Sequence, residues 1–405
     1  MSDHDSETTE PTRRETLKYG AAAAASIGLA GCSDIAGQGE ESTGTARGTY
    51  TATMPPMGTL TLDEPPSSWV GSLGFEADVL TALGHADGAV GMADPRFWYT
   101  GFYEFLDGVS APSTADLSRI TTEDRDTDLE LLYELDPDLM AVDPNLMISI
   151  YGLEEDEAQE IQDNIAPWFG NGSRRQRFDG WTYWPDGEEY DYLPISEYVT
   201  QYGALFGEQA RSEALLDLYE PFIEDVRSRV PAEDERRSMA LVNGRYNPEN
   251  RDGWIIYNPQ SQVEETWGKK QYRDLDVIDA FEGAYDGKSA VTVDSEGLLE
   301  YDPDVIIFQF GVTYRDFDGE NYIQQQRDLL ADDPVASEVT AVQNDDLYIG
   351  GTPYQGPIIS MFQTEMAAKQ LYPSEFGSYP GYGKLSEDEQ LFNRDELAAI
   401  ITEEN

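Results

Sequence analysis

The chain holds one cysteine, two histidines and six lysines in 405 residues. A lone Cys32 excludes a disulfide framework and any cysteine-built metal cluster. His4 lies in a polar tail, and His85, in LGHADGAVGM, is read as a turn residue, so no histidine-built zinc or manganese centre can form. With His85 the only histidine outside the tail, a Ser-His-Asp triad is excluded too, and the chain has no G-x-S-x-G elbow, no P-loop and no HExxH helix. No apolar run after the N-terminal region reaches 18 residues, so the body has no membrane span. Positive charge is scarce, with 26 Lys and Arg against 79 Asp and Glu and a net charge of −53. Such a field repels a polyanion and excludes nucleic acid as a partner. Most of the acids read as a solvated surface, and the composition is similar to that of proteins from halophilic archaea. There, molar salt shortens the Debye length to about 3 Å and screens self-repulsion.

What is present begins with an address. In TRRETLKYGAAAAASIGLAGC, the basic pair Arg13 and Arg14 precedes Leu17 and Lys18, and Tyr19 to Gly31 is a run of 13 apolar or small residues. A spanning helix needs about 20 residues, so the layout is that of an export signal, and the paired arginines resemble a twin-arginine signal. Leu29-Ala30-Gly31-Cys32 resembles a lipobox, which implies cleavage before Cys32 and lipid on its thiol. Residues 1–31 are thus expected to be a lipoprotein signal and 32–49 a flexible acidic tether. Asn171-Gly172-Ser173 is a glycosylation acceptor motif at Asn171, consistent with an exterior location.

The body alternates short β-type runs with helical stretches, which predicts an α/β fold with mainly parallel sheets. Strands are expected at 89–92, 139–142, 165–169, 238–242, 305–310 and 347–349. Between the halves, apolar residues recur at helical spacing and predict two helices, the second over 208–230, with Pro221 kinking or breaking it. One phrase occurs twice. DLELLYELDPDLM (Asp128 to Met140) and DSEGLLEYDPDVI (Asp294 to Ile306) share seven of thirteen positions. Each reads as a short helix, an Asp-Pro break and a buried strand, because the residue before Pro is pushed out of the α region. Two similar lobes follow: 50–200 and 233–405, joined by a long backbone helix within 201–232.

Taken in order, ADVLTALGHADGAVGM, LELLYELDPDLMAV, LLEYDPDVIIF, AVQNDDLYIGG and MAAKQLYPSEF resemble the substrate-binding proteins of ABC importers for ferric siderophores, haem and cobalamin. The resemblance covers roughly Ala77 to Phe376. It implies two α/β lobes on one long helix, no enzymatic activity and no cofactor. It also implies a monomer that hands a metal chelate to a membrane permease and its ATPase, anchored through Cys32 to the outer face of the cytoplasmic membrane. A surface Glu on each lobe docks on permease arginines in that family, and Glu130 and Glu296, each seven residues before its Pro, fall at the matching positions.

A ligand between two lobes meets the loops that leave the carboxyl ends of the strands. Those loops carry Arg96, Trp98, Tyr99, Arg174, Arg175, Arg177 and Trp181 in the first half, and Arg245, Tyr246, Tyr314, Arg315 and Tyr354 in the second. Guanidinium forks grip anionic oxygens and aromatic faces cover flat organic parts, so these residues are expected to bind an iron(III)-siderophore-type chelate. The alternative is a carbohydrate-binding or glycan-acting surface lipoprotein, suggested by the composition of WTYWPDGEEYDY at Trp181 to Tyr192.

Overall fold

In a computed structural model, residues 49–175, 190–244, 253–260, 266–313 and 319–403 are described. The first lobe opens with an antiparallel hairpin, β1 (Tyr50–Met54) and β2 (Gly58–Leu62). Its sheet comprises β3 (Trp69–Gly71), β4 (Ala89–Met92), β5 (Ser118–Arg119) and β6 (Leu139–Met140), in the order β5-β4-β3-β6 and parallel throughout. Helix α1 (Phe75–Ala82) joins β3 to β4, α2 (Leu129–Leu135) leads into β6, and α3 (Pro144–Ile150) and α4 (Glu155–Asn164) follow.

Two helices, α5 (Ile195–Phe206) and α6 (Gln209–Ser228), carry the chain across. Pro221 does not break α6. It lies on the exposed face, as does Asp217, whose carbonyl the proline ring cannot bond and which water can satisfy.

The second lobe contains β7 (Ser238–Asn243), β8 (Trp254–Tyr257), α7 (Lys270–Asp274), β9 (Ile278–Asp279), β10 (Ala290–Val293) and α8 (Ser295–Tyr301). Then come β11 (Val305–Gln309), α9 (Gly319–Asp332), α10 (Thr340–Gln343) and β12 (Leu347–Ile349). The sheet order is β10-β8-β7-β11-β12, with β9 also on β7. Strands β9, β7, β11 and β12 pair in parallel, whereas β8 and β10 run antiparallel. The chain closes with α11 (Pro357–Leu371), α12 (Pro373–Phe376) and α13 (Arg394–Thr402).

The repeated phrase forms the same device in each lobe. Asp128 accepts a hydrogen bond from Leu131 N at 3.0 Å and caps α2; Asp294 accepts from Gly297 N at 2.9 Å and caps α8. Each helix ends on an Asp in the left-handed region, Asp136 at φ 40° and Asp302 at φ 38°, followed by the proline. The second Asp of each Asp-Pro-Asp then ties its strand to the neighbouring one. Asp138 Oδ2 accepts from Ser67 N, Ser67 Oγ and Ser68 N at 2.6 to 3.1 Å, just ahead of β3. Asp304 Oδ2 accepts from Ser238 N and Ser238 Oγ, both at 2.9 Å, at the start of β7. In return Ser68 Oγ and Ser238 Oγ accept from the Asp138 and Asp304 amides. Leu132 and Leu298 are the buried anchors of the two helices.

The expected strand at 165–169 is reduced to a single parallel bridge between Trp168 and Met140. Pro167 lacks the N–H a ladder needs, so pairing does not extend.

Three buried clusters make the core. One lies beneath each sheet's outer face, with Met140, Val142 and Ile161 in the first lobe and Val242, Ile306 and Phe308 in the second. The largest is continuous from α1 through α5, α6 and α11, so the lobes share one hydrophobic interior. Arg211 on α6 fastens the chain's end to it, donating to Ile400 O and Glu403 O at 2.8 Å.

Candidate functional site

Loops that leave the carboxyl ends of β4, β11 and β12 meet where the two lobes join. Phe97 follows β4, Phe310 follows β11, Tyr354 follows β12, and Tyr257 ends β8. These four rings form a run across the junction. The Phe97 and Tyr354 centroids are 4.7 Å apart, Tyr354 and Phe310 are 6.3 Å apart, and Phe310 and Tyr257 are 6.5 Å apart. Phe97 belongs to the first lobe and the other three to the second, so the run bridges them.

Cations gather on this run. The Arg174 guanidinium lies 4.9 Å from the Tyr354 centroid, and Lys269 Nζ lies 5.3 Å from that of Tyr257. The segment bearing Arg174 is stitched to the other lobe by its backbone: Trp267 N donates to Ser173 O and Gly268 N to Arg174 O, both at 2.7 Å. Gly268 is required there, because a Cβ would stand 2.5 Å from Arg174 O. Burial, reinforced by the charge of Arg174, pulls the Arg175 guanidinium down to about 10. Burial also lowers Lys269 to about 7, with Arg273 and Arg174 pressing the same way against Asp279. Burial raises the Tyr151 phenol to about 12, helped by Tyr354 and Asp94 and opposed by Arg174. In a chain of net charge −53, this is a local concentration of like positive charges whose mutual repulsion an anion would relieve. Among the described residues, no group of three or more His, Cys, Asp and Glu is arranged to hold a bare metal ion.

The structure brings together Arg174, Arg175 and Tyr354 among the residues expected at the site. Arg96 lies exposed on the same side but is held by Asp94, its Nε donating to Oδ1 at 2.7 Å. Trp98 and Tyr99 turn away, contrary to expectation. Trp98 is buried in the shared core with Nε1 donating to Tyr103 Oη at 3.0 Å, and Tyr99 bonds Tyr382 of the C-terminal segment through its hydroxyl. Both fill apolar space that a strand-to-helix loop must cover. Arg177, Trp181, Arg245, Tyr246, Tyr314, Arg315 and Cys32 lie outside the described residues. Asn171 is fully buried, and its amide donates to Pro55 O at 2.6 Å and Asp191 O at 2.7 Å. A glycan cannot be seated there, so the acceptor motif is structural. Glu130 and Glu296 are both exposed on the first turns of α2 and α8. Phe97, Tyr257, Phe310, Lys269 and Tyr151 were not anticipated. The strand-end rule reaches Phe310, which directly follows β11, but Lys269 sits in a loop with no sequence signal.

A family model described as "Periplasmic binding protein" matches residues 76–354, which include the second lobe's sheet, β4, β5 and β6 of the first, and every described member of the aromatic run. The chain belongs to the periplasmic binding protein family. No curated protein sequence matches it. Several solved structures share the fold of this periplasmic binding protein. One from Veillonella parvula, itself described as a periplasmic binding protein, has 13% identity and a TM-score of 0.51, covering 81% of this chain and 98% of its own. Helicobacter pylori CeuE with Ni(II) bound has 13% identity and a TM-score of 0.50, covering 80% and 90%. A mutant of the heme binding protein HmuT has 15% identity and a TM-score of 0.50, covering 84% and 91%. At these identities the likeness is one of fold. Family membership makes the protein an extracytoplasmic solute-binding protein and not an enzyme, which removes the glycan-acting alternative. Among the described residues, no helix of this periplasmic binding protein is long and apolar enough to cross a membrane.

Proposed function

We propose that the protein is the lipid-anchored, extracytoplasmic binding component of an ABC importer and captures an anionic iron(III) chelate of the siderophore type between its lobes. The observation that carries this reading is the stacking of Arg174 on Tyr354 within an aromatic run that crosses the junction, with Arg175 and Lys269 beside it. A guanidinium lying on a ring keeps its N–H edge free for chelate oxygens, and the rings offer flat apolar faces to the ligand's organic parts. An uncharged sugar would not call for such a concentration of cations. The heme named for one protein of this fold fits a cargo in which a metal arrives already complexed. Cys32 would carry the lipid, and Glu130 and Glu296 would set the register of docking on permease arginines, each from the first turn of equivalent helices.

Intrinsic tryptophan fluorescence titrated with the anionic tris-catecholate ferric enterobactin, with haemin and with cobalamin tests the ligand class. Saturable quenching by the ferric catecholate is expected, weakened about tenfold to a hundredfold by Arg174→Ala. A flat response to all three, or an Arg174→Ala variant that binds as tightly as the native chain, overturns the reading.

A further inference from the structure

Helix α1 is wedged between the two loops whose rings meet across the junction. At its start, Gly74 adopts φ 104°, and a Cβ there would stand 2.6 Å from Phe97 O and 2.8 Å from Trp98 Cα. On its other side, a Cβ on Gly356 would stand 2.8 Å from Asp78 Oδ2 and 2.9 Å from Phe75 O. The backbone of α1 therefore touches the loop of Phe97 in the first lobe and the loop of Tyr354 in the second, both at glycine distance.

One side chain joins the two contacts. Asp78 Oδ1 accepts from Tyr103 Oη at 2.8 Å, and that hydroxyl accepts from Trp98 Nε1 at 3.0 Å, next in sequence to Phe97. Asp78 Oδ2 accepts from Ile359 N at 3.1 Å, in the first turn of α11, which begins at Pro357 just after Tyr354. Asp78, Tyr103, Trp98 and Ile359 are all buried. An apolar residue would pack such an interface more cheaply; a buried carboxyl that uses both oxygens specifies one geometry instead.

We infer that Asp78 is a positioning residue for the ligand cleft: it ties the Phe97 loop of one lobe to the Tyr354 loop of the other and so fixes the ring contact between them. The inference rests on the proposed ligand site and adds a residue that does not itself touch ligand. Glu76 provides the contrast. It is buried on the same helix, but its side chain bonds Ser72 Oγ at 2.6 Å and holds neither loop.

Hydrogen exchange by mass spectrometry on the full chain tests this without any ligand. Asp78→Ala removes both acceptor oxygens, and exchange in residues 94–103 and 351–360 should both accelerate about tenfold. Glu76→Gln should lower the melting temperature without accelerating either segment selectively. Should Asp78→Ala fail to fold, Tyr103→Phe removes only the branch toward Trp98, and only 94–103 should accelerate. Unchanged exchange in either segment of Asp78→Ala, equal acceleration in Glu76→Gln, or a uniform effect in Tyr103→Phe overturns the inference. Affinity for ferric enterobactin should fall about tenfold in Asp78→Ala and stay native in Glu76→Gln; an unweakened Asp78→Ala overturns the role. If the native chain does not bind this probe, the ligand reading fails while exchange still decides the role of Asp78.

Discussion

The first lobe builds its sheet from four parallel strands, while the second extends its parallel strands with antiparallel β8 and β10. The helix-to-strand device in front of β6 and β11 is nonetheless the same in kind: an Asp cap, a left-handed Asp, a proline, and an Asp that accepts from serine at the entry to the adjacent strand, two serines in the first lobe and one in the second. What repeats is the machinery that turns a helix into a buried strand and leaves a glutamate, Glu130 or Glu296, exposed on the helix's first turn. What does not repeat is the candidate ligand site. The first lobe contributes Arg174, Arg175 and Phe97; the second contributes Lys269, Tyr257, Phe310 and Tyr354. On the proposed reading, the duplicated segments would serve folding and docking, and the unduplicated loops recognition.

This contrast can be broken by experiment. The largest effect should come from the docking helices. Glu130→Ala and Glu296→Ala should each reduce uptake of a radiolabelled ferric chelate by cells, and together abolish it, with fluorescence-measured ligand binding unchanged. If one matters and the other does not, the lobes do not dock as equivalents. Next come the strand ties. Asp138→Ala and Asp304→Ala each leave several donors without their carboxylate acceptor, and each should cost about 2–3 kcal/mol in denaturant unfolding. Markedly unequal losses would show that the twin devices carry different loads. The helix caps should matter less: Asp128→Ala and Asp294→Ala should each cost about 1 kcal/mol by the same measurement.

A pH dependence sharpens an asymmetry. Helix α1 of the first lobe buries Glu76 and Asp78, and burial raises both to about 7 against the hydrogen bonds from Ser72 and from Ile359 that favour their charge. Their folded values lie above the unfolded ones of 4.5 and 3.8, so their contribution to stability is full below about 4 and is lost as pH rises through 7. The melting temperature should therefore rise on acidifying from pH 8 to pH 5, and Glu76→Gln should flatten that rise. A melting temperature that falls over this interval in the native chain would contradict the assignment.

Much of the frame was legible because it depends on local chemistry. Asp-Pro-Asp ends a helix wherever it occurs, and uncharged runs such as Val305 to Phe310 have to be buried. Trp69–Gly71 escaped notice because three residues carry no periodicity, yet it is a central strand of its sheet. At the site, Arg174 and Tyr354 were reached by asking which bases follow strands. Trp98 looked the same by that rule, and only tertiary packing turned its ring inward. Lys269 and Tyr257 were invisible because their meeting depends on the antiparallel strand β8 and on a loop stitched to Arg174 across the junction. Asn171 matched a modification motif, whereas its burial followed from contacts to Pro55 and Asp191, far away in sequence.

The central claim is that an anionic metal chelate is gripped between the lobes by Arg174 and its neighbours on the bridging aromatic run. Titration of the native chain and of Arg174→Ala with the anionic tris-catecholate ferric enterobactin, followed by tryptophan quenching, tests it most directly. The account predicts saturable quenching in the native chain and an affinity about tenfold to a hundredfold weaker in the variant. Equal affinity in both chains, or no quenching in either, would contradict it.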